Sequence, residues 1–112
     1  MCGRYTMSAG GDRVRAAFAE FDLRLNDAGG LGRYNIAPTE GVLTIASPRG
    51  EPEAKLMRWG LVPSWSKDLK SSARMINARL ESVTEKSAYR GVVPEASRRA
   101  LLPADGWYEY LP

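Results

Sequence analysis

Hydrophobic and polar positions first alternate along this chain and then change period. In residues 2–7, Tyr5 and Met7 fall on one face and Arg4 and Thr6 on the other, the two-residue repeat of a short strand. Ser8-Ala9-Gly10-Gly11 interrupts it. Val14, Ala17, Phe18 and Phe21 then recur at i, i+3, i+4 and i+7, with Arg13, Arg15 and Glu20 off that stripe. The spacing predicts a helix that packs along one side, with Asp12 placed to cap it. Residues 26–32, rich in glycine, read as a flexible connection.

The next periodic stretch is β-like. Pro38 holds Ala37 extended. Residues 42–47 are rich in strand formers, and Ser47-Pro48-Arg49-Gly50 is a turn. In residues 54–61, Leu56 and Arg58 alternate against Met57 and Trp59, so the two runs predict an antiparallel hairpin. Thr84 can cap a short helix over 84–89. Residues 98–103 read as a strand, and Asp105-Gly106 as a two-residue turn. Residues 107–110 begin another strand, with Trp107 and Glu109 on one face and Tyr108 and Tyr110 on the other. Such a short last strand leaves a sheet edge without a partner, so further residues or a partner chain are expected to complete it. The expected class is α+β, rich in β-structure.

Composition narrows the function more than the fold. At 112 residues the chain suits one domain. A hydrophobic share of 44% against 26% charged supports a soluble core-forming protein. No apolar run approaches the ~20 residues that span a bilayer, and the N-terminus lacks the apolar stretch of a signal peptide. One cysteine cannot form an internal disulfide, which fits a cytoplasmic setting. A net charge of +3 permits a polyanionic partner without requiring one. Histidine is absent, which removes the commonest general base and metal ligand, and no zinc set or other cofactor is implied.

The singular chemistry lies at the start. Cys2 is the sole cysteine and follows Met1 directly. Methionine is commonly trimmed before a small residue, which would leave Cys2 with a free α-amine beside its thiol. Both groups keep a reactive fraction near neutral pH. The amine can form an imine with an aldehyde, and the thiol can close that imine into a five-membered thiazolidine. Taken alone, Cys2 reads more readily as a small buried hydrophobe near a strand start, since free cysteines are mostly structural. Farther on, Trp65 stands beside Lys67 in a polar loop. An indole among cations can stack on an unpaired base or simply cover the core rim.

Four segments become informative together: Met1-Cys2-Gly3-Arg4-Tyr5, Arg33-Tyr34-Asn35-Ile36-Ala37-Pro38, Ile76-Asn77-Ala78-Arg79-Leu80-Glu81-Ser82 and Pro103-Ala104-Asp105-Gly106-Trp107-Tyr108-Glu109. With Trp59-Gly60-Leu61-Val62-Pro63-Ser64-Trp65 between them, their order and spacing resemble the SRAP family, the SOS response-associated peptidases that shield abasic sites in single-stranded DNA. The resemblance implies a β-rich α+β domain with a barrel-like sheet, a basic cleft for single-stranded DNA, and a nucleophile exposed by loss of Met1. It implies a DNA-damage role: a covalent crosslink to the ring-opened aldehyde of an abasic sugar. Cys2 would be the nucleophile. Asn77 would orient the amine or the opened sugar, and Glu109 would move protons. Arg4, Asn35, Arg79 and Trp65 would hold the DNA backbone and a flanking base. The family also carries a catalytic histidine in its second half. The present chain resembles the N-terminal half of the domain, as a β-rich α+β unit whose C-terminal portion is absent.

The chemistry gives a reason for an N-terminal cysteine rather than a lysine. An imine alone promotes β-elimination and strand cleavage, whereas ring closure by sulfur removes the imine. Without the family, Glu109 reads as a solvated strand carboxylate, Asn77 as a turn residue and Arg79 as a surface cation paired with Glu81. Trp59 reads as core, and Arg98-Arg99 as solvent-facing or an extension of a basic track. Two other functions fit the same residues. One is a thiol peptidase acting on its own N-terminus or other proteins. The other is a non-covalent single-strand-binding module, with salt-sensitive affinity. The localisation implied is cytoplasmic, on the nucleoid after DNA damage. A homodimer or strand-swapped partner could cover the open sheet edge.

Overall fold

The computed structural model describes residues 2–19 and 30–111. β1 (Tyr5–Met7) leads into α1 (Gly11–Ala17), and β2 (Arg33–Ile36), β3 (Gly41–Ala46) and β4 (Glu53–Arg58) follow. After short 3-10 turns at Lys70–Ala73 and Ala96–Arg98 come β5 (Ala100–Leu101) and β6 (Gly106–Trp107). The strands form two antiparallel three-stranded sheets, ordered β2-β1-β6 and β4-β3-β5. The fold is thus β-rich α+β, with the N-terminal strand central in one sheet.

The alternation in residues 2–7 has the expected consequence. Tyr5 and Met7 are buried, and with Val14, Ile36, Val42 and Leu43 they form the core. Cys2, Phe18 and Trp59 pack against it from the edge. The β3–β4 hairpin is as the pattern predicts, paired from Gly41↔Arg58 to Ala46↔Glu53. Central β3 is buried from Val42 to Ala46. Its one polar member, Thr44, donates its hydroxyl to the Lys55 carbonyl at 3.0 Å, which satisfies the group inside the core.

Elsewhere tertiary contacts override local signals. Gly10, extended at φ −80°, is the N-cap in place of Asp12, and Asp12 pairs instead with Arg15 one turn on. Of the apolar stripe, Val14 is buried, Phe18 is half-buried at the C-cap and Ala17 is exposed; Phe21 lies outside the described residues, as do 26–29 of the expected connection. Residues 84–89 form no helix. They belong to a succession of turns, with separate bonds such as Lys86 N to Ser82 O and Arg90 N to Lys86 O. A run this short cannot offset helix nucleation without a buried face. β5 keeps only two of residues 98–103, because 96–98 tighten into a 3-10 turn and Pro103 lacks an amide donor.

Asp105-Gly106 is not a hairpin tip. Gly106 belongs to β6 and pairs with Thr6, and the Asp105 carboxylate accepts from the Thr6 and Ser8 hydroxyls and the Ser8 and Ala9 amides. The strand expected over 107–110 stops after Trp107, with Tyr108 N donating once more to Arg4 O at 3.0 Å. β4 ends at Arg58; Trp59 still bonds Thr39 and Glu40 just ahead of β3, and by Leu61 the chain has turned to bond Met75.

Candidate active site

Cys2 precedes the central strand and is half-buried against the core. Its Sγ lies 3.5 Å from the Arg4 carbonyl, a weak thiol donor on a local acceptor. Around it opens a cavity of about 330 Å³ with largely apolar walls. β1 supplies Tyr5, the end of the hairpin Trp59, and a loop Ile76 and Asn77; Leu102, Ala104 and Trp107 close the far side. The Tyr5 and Trp59 rings meet edge to face at 5.4 Å and 72°. Burial pushes the Tyr5 phenol above its ordinary value, with Arg33 pulling it partly back.

Asn77 reaches Cys2 directly. Its Nδ2 donates to the Cys2 carbonyl at 2.7 Å, across 75 residues of sequence. Asn77 also lines a second, more polar groove of about 450 Å³. Trp65, Arg74, Arg79, Lys86 and Tyr89 share that groove. Trp65 is 60% exposed, so its ring face is available for stacking. The Cys2 cavity and a basic, aromatic groove therefore meet at one side chain. Arg4 and Asn35 pair on the exposed side of β1 and β2, Arg4 Nη1 donating to Asn35 Oδ1 at 3.2 Å. Glu109, next along the chain from Tyr108, is exposed and is not among the residues that line the Cys2 cavity.

The structure thus brings Cys2 together with Asn77, and Trp65 with Arg79. It adds Trp107, Tyr89, Arg74 and Lys86, which the chain pattern did not single out as site residues. Arg74 and Lys86 flank the Asn77-Ala78-Arg79 segment, and that clustering of cations around a polar loop was the available signal. Trp107 left none, because whether it faces solvent or the Cys2 cavity depends on its pairing with Tyr5. Among the described residues, no group of three metal-ligating side chains occurs, and no helix is long and apolar enough to cross a membrane.

A thiol beside a core-forming tyrosine and a groove lined by cations and an exposed indole thus adjoin the same residue, Asn77. The family described as SOS response associated peptidase (SRAP) matches residues 1–111, and the chain belongs to that family. It is similar to the abasic site processing protein YoaM of Bacillus subtilis (strain 168), 38% identical over 110 residues, which covers 98% of this chain and 47% of that protein. Abasic site processing protein HMCES of Gallus gallus is 32% identical over 129 residues, covering 98% of this chain and 38% of that protein. Abasic site processing protein YedK of Escherichia coli (strain K12) is 30% identical over 113 residues, covering 98% and 48%. The chain spans about half the length of the curated relatives it matches, or less.

Proposed function

We propose that this chain captures abasic sites in single-stranded DNA as a covalent thiazolidine adduct, in a DNA-damage response. With Met1 removed, the α-amine of Cys2 condenses with the aldehyde of the opened sugar and releases one water. Cys2 Sγ then adds to the imine carbon, and the thiol proton ends on the former imine nitrogen. The C=N bond is consumed, so the electron sink for β-elimination is lost and the strand stays intact. No cofactor takes part.

The observation that carries this reading is Asn77. Its amide holds the Cys2 carbonyl at 2.7 Å while its side of the loop lines the basic groove. DNA held over Trp65 and Arg79 would present an extruded sugar beside the Cys2 cavity. Arg79 serves a phosphate and Trp65 a flanking base, with the Arg4–Asn35 pair on the approach to residue 2. Glu109 supplies or accepts protons once the DNA is bound. The reaction class is lyase-like, with the family's peptidase activity confined to its own first residue, and it takes place on cytoplasmic, nucleoid DNA. The two sheets belong to a larger barrel-like closure. A second copy or partner strand would cover the exposed Leu101, Leu102, Tyr110 and Leu111.

Incubation of the Met-free protein with single-stranded DNA carrying one abasic site tests the reading. The expected product survives a denaturing gel and has the summed mass less one water. Cys2→Ser should give no such product, and an equal yield from that variant overturns the proposal. Binding that is salt-sensitive but identical for intact and abasic DNA, without adduct, would instead leave a non-covalent single-strand-binding module.

A further inference from the structure

The contact between Asn77 and Cys2 depends on what holds residue 77 in place. Residues 74–79 contain no helix or strand, so nothing regular fixes their height above Cys2. The amides of Arg74 and Met75 donate back to Ser71 O and Ser72 O, and the bonds to the carbonyls that lead into Asn77 come from the far end of the β3–β4 hairpin. The Trp59 indole Nε1 donates to the Ile76 carbonyl at 3.0 Å. Two residues on, Leu61 N donates to Met75 O at 2.9 Å. These are the hydrogen bonds nearest Asn77 on its N-terminal side. On the other side, Tyr89 adds a long contact of 3.4 Å to the Asn77 carbonyl.

Trp59 is itself rigidly held. Its amide donates to Glu40 O and its carbonyl accepts from Thr39 N, both at 2.9 Å. Its ring packs on Tyr5, which is 5% exposed and three residues from Cys2. One side chain therefore touches both halves of the candidate site. Its ring supports the wall beneath Cys2, and its N–H sets the loop that carries Asn77. Gly60, at φ +136°, lets the chain pass against the Ser72 backbone and keeps Trp59 in line with residue 76. Packing alone would be served by any large apolar ring. A directed N–H on a main-chain carbonyl one residue from Asn77 is not required for that.

We propose that Trp59 is a positioning residue for Cys2, acting through the Ile76 carbonyl to hold the Asn77 amide on residue 2. The inference deepens the abasic-site reading and rests on it for its consequence in catalysis, but not for its geometry. Trp59→Phe removes the N–H and leaves a smaller aromatic ring to face Tyr5, and continued protection of the β3 amides in that variant separates loss of the N–H from loss of packing. A displacement of about 1 Å at a reacting group costs on the order of a hundredfold in rate, and partial loss of one tether should cost about tenfold.

Two measurements test it. In wild-type protein, the Trp59 indole N–H should exchange with solvent far more slowly than those of Trp65 and Trp107, and one Asn77 side-chain N–H should be protected. In Trp59→Phe, the Asn77 side-chain protection should be lost while backbone amides of β3 stay protected. Equal exchange of all three indoles, or an Asn77 amide still protected in Trp59→Phe, overturns the proposal whether or not any DNA adduct forms. For the reaction, Trp59→Phe should slow adduct formation about tenfold with DNA affinity unchanged. Combined with Asn77→Ala it should slow the reaction no further than Asn77→Ala alone, since both remove one tether. Multiplying losses would refute the route through Asn77. Failure of wild-type protein to form any adduct would refute the abasic-site reading and leave the exchange measurement to decide this one.

Discussion

Replacing Gly60 with alanine should destabilise the protein far more than replacing Gly50, although both glycines have positive φ. Gly50 sits at φ +92° with open space where a Cβ would stand. Its substitution carries only the backbone penalty, about 1–2 kcal/mol. At Gly60, φ +136°, a Cβ would collide with the Ser72 carbonyl oxygen, and would lie 3.0 Å from that carbonyl carbon and 3.1 Å from Ser72 Cβ. Ser72 cannot yield. It is fully buried, its Oγ donates to Leu69 O at 2.6 Å, and Arg58 Nε donates to it at 3.0 Å. Overpacking of this kind adds about 1–3 kcal/mol, so Gly60→Ala should cost roughly 2–5 kcal/mol in all. At about 4–8 °C per kcal/mol for a small domain, the melting temperature should fall by at least about 8 °C. Thermal unfolding followed by circular dichroism, with both variants side by side, measures the difference. Equal melting temperatures for Gly60→Ala and Gly50→Ala would refute the close approach of residues 60 and 72.

Other expectations follow from the same contacts. Asp105 is held at a pKa of about 2, below its ordinary 3.8, chiefly by the Thr6 and Ser8 hydroxyls and then by the Ser8 and Ala9 amides, with desolvation opposing. A depressed carboxylate contributes stability above about pH 3.8 that is lost as pH falls toward 2, so acid unfolding curves of wild type and Asp105→Asn should differ above that window and converge below it. Thr39 is a β-branched residue at φ +74°, and Thr39→Asn, which tolerates that conformation, should raise stability by up to about 1 kcal/mol in urea titrations. Trp65→Ala should weaken single-strand binding by about 1–3 kcal/mol with little change in the salt slope. Arg79→Gln and Lys86→Gln should each lower that slope by about one, as read by fluorescence anisotropy across salt concentrations.

What the chain announced and what it hid divide along a physical line. Period-two burial at Tyr5 and Met7, and the β3–β4 hairpin, were legible because side-chain alternation and a Ser47-Pro48-Arg49-Gly50 turn are local properties. The Cys2–Asn77 pairing entered through family motifs, and no local rule joins residues 75 apart. Asp105-Gly106 misled because its local preference is a hairpin tip, whereas four donors from residues 6–9 recruit the carboxylate for strand closure. The 84–89 helix failed for lack of a buried face. Trp59 read as core, and its ring does pack there; its N–H contact on Ile76 depends on where a distant loop lies.

β1 sits between β2 and β6, so the strand that leads out of Cys2 is complete only when residues from the opposite end of the described chain arrive. Translation delivers about 5–20 residues per second, which separates residue 2 from Trp107 by roughly 5–20 s. During that interval the N-terminal strand has only β2 to pair with, and its other edge stays open. Residue 2 therefore stays open to processing at its N-terminal side until the last strand docks, an order that suits the proposed capture chemistry.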